Sequence, residues 1–178
     1  MSDKAAIKAF KQLKIKFKRY SFLERESDER QYNSPFVNLG LGTLMRTKYH
    51  SFPEYHTSLD NFKVVTEKGL LGSFRLVKKA INNLLEIKPS EQKVKKISPK
   101  NLVSKIVCEP NLGKRNLYPT VSEKNNNFKD PQKLLDVMQF ADGTNSYVEI
   151  SKLMKTSRKK TSKLINILLK NNLIEYIK

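Results

Sequence analysis

The residue of this chain best suited to metal chemistry is His56, in the stretch FPEYHTSLDN at 52–61. Glu54 and Tyr55 precede it and Asp60 follows four positions later. A neutral imidazole whose second N–H is held by a carboxylate is a good zinc ligand. Asp60 is close enough in sequence to buttress His56, and Thr57 and Ser58 can fix the loop through side-chain to backbone hydrogen bonds. A zinc site needs three or four ligands. The second histidine, His50, lies six residues upstream in a proline-containing loop, outside helical i, i+4 pairing. On residue types alone, the loop reads either as part of a metal site or as an exposed, hydrogen-bonded histidine.

A second cluster carries a different chemistry. Ser157, Arg158, Lys159, Lys160, Ser162 and Lys163 open an apolar-periodic run, so that Arg158, Lys159, Lys160 and Lys163 could neutralise several phosphates from one helix end. The whole chain has a net charge of +18. Lysine outnumbers arginine 28 to 7, however, and asparagine numbers 15. Readers of bases and phosphates lean on arginine's planar fork. The charge therefore reads as a solvated basic surface or as a polyanion-binding one, and the helix end as a docking surface or a nucleic-acid surface.

Several elements must position these residues. KAAIKAFKQLK at 4–14 sets Ala6, Ile7, Phe10 and Leu13 at helical spacing. The runs at 16–24 and 37–47 have strand character, with Gly40 and Gly42 allowing a bend in the second. ERESDERQYNSPF between them reads as a loop. A helix is predicted from about Thr66 to Ile87, with Leu70, Leu71, Phe74, Val77, Ile81, Leu84 and Leu85 in the three-and-four rhythm. KPSEQKVKKISPK at 88–100 reads as a linker, and SEKNNNFKD as a second polar break. From Asp130, a cap residue followed by Pro131 predicts a helix ending before Gly143. Two more helices and a strand at 173–177 follow, an order that matches a small winged-helix-like domain.

Length and cysteine content bound the remaining choices. A chain of 178 residues can bury one core, or one core and a small satellite. Cys108 is the single cysteine, so neither an internal disulfide nor a cysteine zinc cluster can form. No stretch approaches the ~18 apolar residues of a membrane span, and the lysine-rich first twenty residues do not resemble a signal peptide. The expectation is a soluble cytoplasmic protein.

Four stretches, SDERQYNSPFVNLGLGTLMRT, FPEYHTSLDN, CEPNLGKRNLY and ADGTNSYVEI, occur in this order. Together they resemble one bacterial family, the aminopeptidase-like proteins of the co-catalytic zinc peptidase clan. These carry a C-terminal winged-helix-like domain and are often encoded among surface-polysaccharide biosynthesis genes. The resemblance implies an α/β fold. Residues 1–100 would be the C-terminal part of a zinc-aminopeptidase-like α/β sandwich, 101–128 a connecting segment, and 129–178 the winged-helix-like domain. It makes His56 of HTSLDN a zinc ligand and Asp60 the aspartate that orients it. Asp28 of SDERQY becomes a residue beside the site, and Arg46 and Glu54 substrate-binding positions. Asn33 stands where relatives commonly have cysteine, and Phe36-Val37 replaces a glycine-containing turn. The family's other metal ligands and its glutamate general base are not found in the chain. The expectation is therefore a C-terminal fragment that does not hydrolyse peptides alone. Zinc would bind only with ligands from another chain, either a separate N-terminal half or a second copy, and a peptide-like substrate would belong to the complete enzyme. The alternative is a winged-helix adaptor that binds DNA or docks a protein.

Overall fold

The computed structural model describes residues 1–26, 28–88, 96–118 and 130–178. In chain order the main elements are α1 (Ser2–Gln12), α2 (Asp28–Tyr32), α3 (Glu67–Glu86), β1 (Leu102–Ser104), α4 (Pro131–Phe140), α5 (Tyr147–Leu153), α6 (Arg158–Lys170) and β2 (Ile174–Tyr176). Two compact units result. One comprises Met1–Arg19 with Gly40–Glu91, the other Tyr20–Leu39 with Gln92–Lys178. No helix among the described residues is long and apolar enough to cross a membrane.

The first unit is built on α1 against α3. Thr66 caps α3 by accepting a hydrogen bond from the Gly69 N–H at 3.1 Å, which satisfies one of the helix's orphan donors. Ala5 and Ala9 of α1 meet Leu76 and Ala80 of α3, with Phe10 and Leu44 at the margin. Small side chains at the seam let the two backbones come close. Asn83 is buried in the same seam, where its Nδ2 donates to the Ala5 carbonyl at 3.3 Å and to Gln12 Oε1 at 3.0 Å. At the rim, Lys8 pairs with Glu86 at 2.8 Å, and the hydrogen bond and charge of Lys8 hold the Glu86 carboxyl below its ordinary range. Both groups are exposed, so the pair adds little stability.

The side of α3 that meets α1 is not the side its rhythm marks as core. Leu70, Leu71, Phe74, Val77, Ile81, Leu84 and Leu85 are all exposed, with Leu70 at 60%, Phe74 at 62% and Leu85 at 82%. The helix has two apolar faces about 120° apart at 100° per residue, and α1 takes the narrower one.

The expected strands at 16–24 and 37–47 are not formed. A period-two pattern becomes a strand only when a neighbour accepts its ladder, and none lies beside these runs among the described residues. Ser21 instead starts a single 3₁₀ turn over Phe22–Glu24, its backbone N–H donating to Glu24 Oε2 at 2.8 Å. Within the segment read as a loop, Asp28–Tyr32 is helical, with Glu29 and Arg30 buried.

The second unit holds the larger core. Asp130 caps α4 ahead of Pro131, Ser146 and Glu149 form a reciprocal capping box on α5, and Ser157 caps α6 through the Lys160 N–H. Gly143, with φ +86°, and Lys155, with φ 52°, take the left-handed turns that separate the helices. Leu134, Val137, Ile150, Leu164, Ile165 and Leu168 fill the space between α4, α5 and α6. In α6, Ile165 is buried in this core and Ile167 only partly so. β1 and β2 pair antiparallel, Leu102 opposite Tyr176 and Ser104 opposite Ile174, and Asp142 bridges to Val103 on the other side of β1. This is the only sheet among the described residues. The described chain is thus mixed helical with one small sheet. Residues 89–95 of the expected linker and 119–129, which include most of SEKNNNFKD, lie outside the described residues.

Candidate functional site

The loop that carries His56 is a series of tight turns. The Tyr55 N–H donates to the Phe52 carbonyl, Thr57 N–H to that of Glu54, and Asp60 N–H to that of Thr57. Thr57 Oγ1 donates to the Glu54 carbonyl at 2.9 Å and accepts from the Leu59 N–H at 3.2 Å. The hydroxyl therefore holds the loop as expected of an ST-turn. His50 and His56 both take left-handed backbone, with φ 59° and 58°.

Both imidazoles meet one tyrosine. His56 stacks on Tyr55 with centroids 4.0 Å apart and planes 14° apart, and His50 meets it edge-on at 4.9 Å. Phe52 and Tyr49 complete the cluster, and Lys48 Nζ sits 4.4 Å from the Tyr49 centroid. The sequence shows the six-residue gap between the histidines, but the gap gives no hint that a tyrosine joins them.

The remaining candidates of the metal reading are dispersed. His56 and Asp60 are exposed, and no hydrogen bond joins the Asp60 carboxylate to the imidazole. Glu54 is half-buried and contributes its carbonyl to the turn. Arg46 Nη1 donates to the Gly69 carbonyl at 3.3 Å and lies against Gly72, where an added Cβ would come within 2.9 Å of it. The arginine thus packs along the start of α3. Asp28 is exposed and begins α2 in the other unit. Among the described residues, no three His, Cys, Asp or Glu side chains converge as a metal-binding group. One exposed imidazole without a chelating set has little affinity for zinc.

The buried charge lies elsewhere, in the second unit, at residues the sequence reading passed over. Arg30 is 3% exposed, and its guanidinium donates from Nε to Glu109 Oε1 at 2.8 Å and from Nη2 to Asp136 Oδ1 at 2.9 Å. Gln139 Nε2 donates to Glu109 Oε1 at 2.8 Å and to the Arg30 carbonyl at 3.1 Å. Gln31 Oε1 accepts from the Glu109 N–H at 2.9 Å. The Phe22 ring covers the guanidinium at 5.1 Å and meets Phe140 edge-on. Burial pushes the Asp136 carboxyl above its ordinary value, and the charge and hydrogen bond of Arg30 only partly oppose the shift. The one available signal was an arginine among acidic and amide residues in SDERQY. This network ties α2 to α4 and to Glu109.

The basic end of α6 is as exposed as its sequence suggests. Arg158, Lys159, Lys160 and Lys163 all face solvent, while Thr161, Leu164 and Ile165 face inward. Thr161 Oγ1 lies 2.7 Å from Thr156 Oγ1 and anchors the turn before the helix. Lys133 of α4 joins this surface. Its contact with Lys160 lowers the Lys160 ammonium below its usual range, while the hydrogen bond that Lys133 donates to Asp130 raises that of Lys133.

Comparison with known proteins divides the chain in two along its sequence. Residues 1–87 match a family described as a domain of unknown function (DUF4910), and residues 100–176 match a winged helix-turn-helix family. Over 125 residues the chain is 34% identical to a Clostridium acetobutylicum protein named as a polysaccharide biosynthesis protein with an aminopeptidase-like domain. That match takes in 70% of this chain and 26% of the relative, so the chain spans about a quarter of the relative's length. A crystal structure from the same organism, named as a peptidase, aligns with 99% of this chain and 36% of its own, at 25% identity and a TM-score of 0.44. The chain is thus similar over most of its length to a protein with an aminopeptidase-like domain, and its C-terminal residues match the winged helix-turn-helix.

Proposed function

We propose that this chain is a non-hydrolytic portion of an aminopeptidase-like protein of the co-catalytic zinc clan. In this reading it carries the His56 loop on the edge of an α/β sandwich whose other ligands, general base and strands lie outside the described residues. The observation that carries the reading is the pairing of HTSLDN with an absence of converging ligands among the described residues. With His56 exposed and Asp60 unbonded to it, nothing in the described chain could acidify a water or hold the oxyanion of a tetrahedral intermediate, and both tasks belong to a hydrolase of this kind. The side chain of His56 is accessible to a metal brought by a partner.

Metal analysis and a peptidase assay on the purified chain test this reading. The expected result is substoichiometric zinc and no chelator-sensitive release of amino acids from peptides. One zinc per chain, lost on His56→Ala, would overturn it.

A second reading is favoured by one observation, the exposed cluster of Arg158, Lys159, Lys160 and Lys163 beside Lys133 in a winged helix-turn-helix. In such domains the third helix offers its N-terminal residues to the major groove. If α6 docks on DNA, log K against log salt falls with a slope of about −0.9 per phosphate neutralised. Replacing Lys159 and Lys160 by alanine should then make the slope shallower by about 2. An unchanged slope would reject this reading and leave α6 as a docking or packing surface.

A further inference from the structure

An imidazole turns easily about its last torsion, which is broad and roughly two-fold. A ring that must offer a nitrogen in one direction therefore needs a neighbour to fix its plane. For a metal-ligating histidine that neighbour is usually a carboxylate or carbonyl bonded to the second N–H. Asp60 stands at the expected position and makes no such bond, and among the described residues neither ring nitrogen of His56 is hydrogen-bonded. The contact that His56 does make is with the face of Tyr55, at 4.0 Å and with the planes within 14°. Tyr55 is half-buried and is itself hemmed in, by Phe52 at 5.7 Å, Tyr49 at 6.4 Å and His50 at 4.9 Å between centroids. It is a wall rather than a second free ring.

The backbone is arranged to keep the two rings together. Thr57 donates twice to the Glu54 carbonyl, from its N–H at 3.1 Å and from Oγ1 at 2.9 Å. Tyr55 and His56 are thus the central residues of a doubly tied turn. His56 occupies the left-handed region at φ 58°, which is uncommon for a residue with a side chain. We infer that Tyr55, and not Asp60, is the positioning residue of the His56 ring. The lone pairs of Nδ1 and Nε2 lie in the ring plane, so the stack directs them along the Tyr55 face and leaves both open. With no bonded carboxylate, the neutral ring is not held to one tautomer. The use of this geometry rests on reading His56 as a metal ligand, whereas the ring contact stands without that reading.

Aromatic proton–carbon and long-range proton–nitrogen correlation spectra of the full chain, with no metal added, read both properties. The His56 ring protons should lie upfield of those of an unstructured histidine, as expected over an aromatic face. Tyr55→Leu should abolish that displacement, Tyr55→Phe should keep it, and Asp60→Asn should leave it unchanged. Both neutral tautomers should be populated. His56 protons at their unstructured position, or a displacement that survives Tyr55→Leu, overturns the role of Tyr55. So does a single Nδ1–H tautomer that Asp60→Asn abolishes, a result that returns the role to the carboxylate and stands even where Tyr55→Leu unfolds the loop. Failure here is distinguishable from failure of the peptidase reading, because the spectra need no zinc, whereas that reading falls only on zinc content or peptidase activity.

Discussion

Arg30→Met isolates the largest electrostatic commitment of the second unit. Methionine keeps much of the stem's volume beneath Phe22 and removes the charge that both Glu109 and Asp136 share. Removing one member of a buried ion pair costs about 3–5 kcal/mol, because the partner stays buried without compensation. Here two carboxylates are left facing each other, so the upper half of that range is expected. For a unit of roughly 100 residues, about 4 kcal/mol lowers the melting temperature by about 15–30 °C. The pH dependence gives a second readout. Burial already raises the Asp136 carboxyl in the folded state, and the nearby charge of Glu109 pushes it the same way. A carboxyl raised on folding binds more protons in the native state than in the unfolded one. Its favourable contribution is therefore complete below the unfolded value and is lost as pH rises through the folded value. Without Arg30 this window widens upward, so the deficit of Arg30→Met should shrink steadily as pH is lowered from 7 toward 4. Urea titrations followed by far-ultraviolet circular dichroism measure both effects. The triple variant Arg30→Met, Glu109→Gln, Asp136→Asn should regain most of the loss, since an uncharged set has no stranded carboxylate. A loss below about 1 kcal/mol, or one that does not change with pH, would refute the claim that this network is an obligatory charge cluster.

The remaining predictions test packing and exposure. Leu168→Ala empties a fully buried position on α6 and should cost about 2.7–5 kcal/mol in a urea titration. His56→Ala removes only an exposed ring stacked on Tyr55, so stability should change by less than about 1 kcal/mol. A larger loss would mean that the aromatic cluster is part of the fold. Amide hydrogen exchange should show α1 and α3 opening at lower free energy than α4 and α6, because few and mostly small side chains fill the first seam. Equal protection in the two units would contradict that ranking.

Local signals were legible where a helix satisfies itself. Asp130 with Pro131, Ser157 before a lysine-rich run, and Gly143 past the end of α4 each report a cap or stop within a few residues. The same is true of α3, whose length and start follow from its rhythm and Thr66. Legibility failed where the cause is distant in sequence. Arg30 meets Glu109 and Asp136 across 79 and 106 residues, and the five-residue α2 holds its place through those contacts rather than through an apolar period. The alternation at 16–24 is real, but a strand requires a neighbour, and a single capped turn at Ser21 replaces it. β1 is three residues long, too short for any periodicity to mark. The two histidines were legible as residues, but their common partner Tyr55 was not, because ring contacts in a loop follow from left-handed turns that histidine does not announce.

α3 shows most clearly why a hydrophobic rhythm identifies a helix and yet not its neighbour. The moment of an amphipathic helix says which side avoids water, and that demand can be met within one chain or between chains. Within the described chain, α1 offers alanines at Ala5 and Ala9 and takes the side of α3 that carries Leu76, Ala80 and the buried Asn83. That seam is specified by close approach and by one amide that bonds Ala5 and Gln12, and it buries little apolar area. The broader face, with four leucines, a phenylalanine, a valine and an isoleucine, stays exposed among the described residues. An exposed face of this kind on a soluble monomer would be an aggregation liability. The exposed Lys78 sets a charge within that face and so restricts which apolar surfaces can cover it. Any surface that covers this face must therefore leave the exposed Lys78 ammonium solvated or paired with an acid, because a charge buried alone is strongly destabilising.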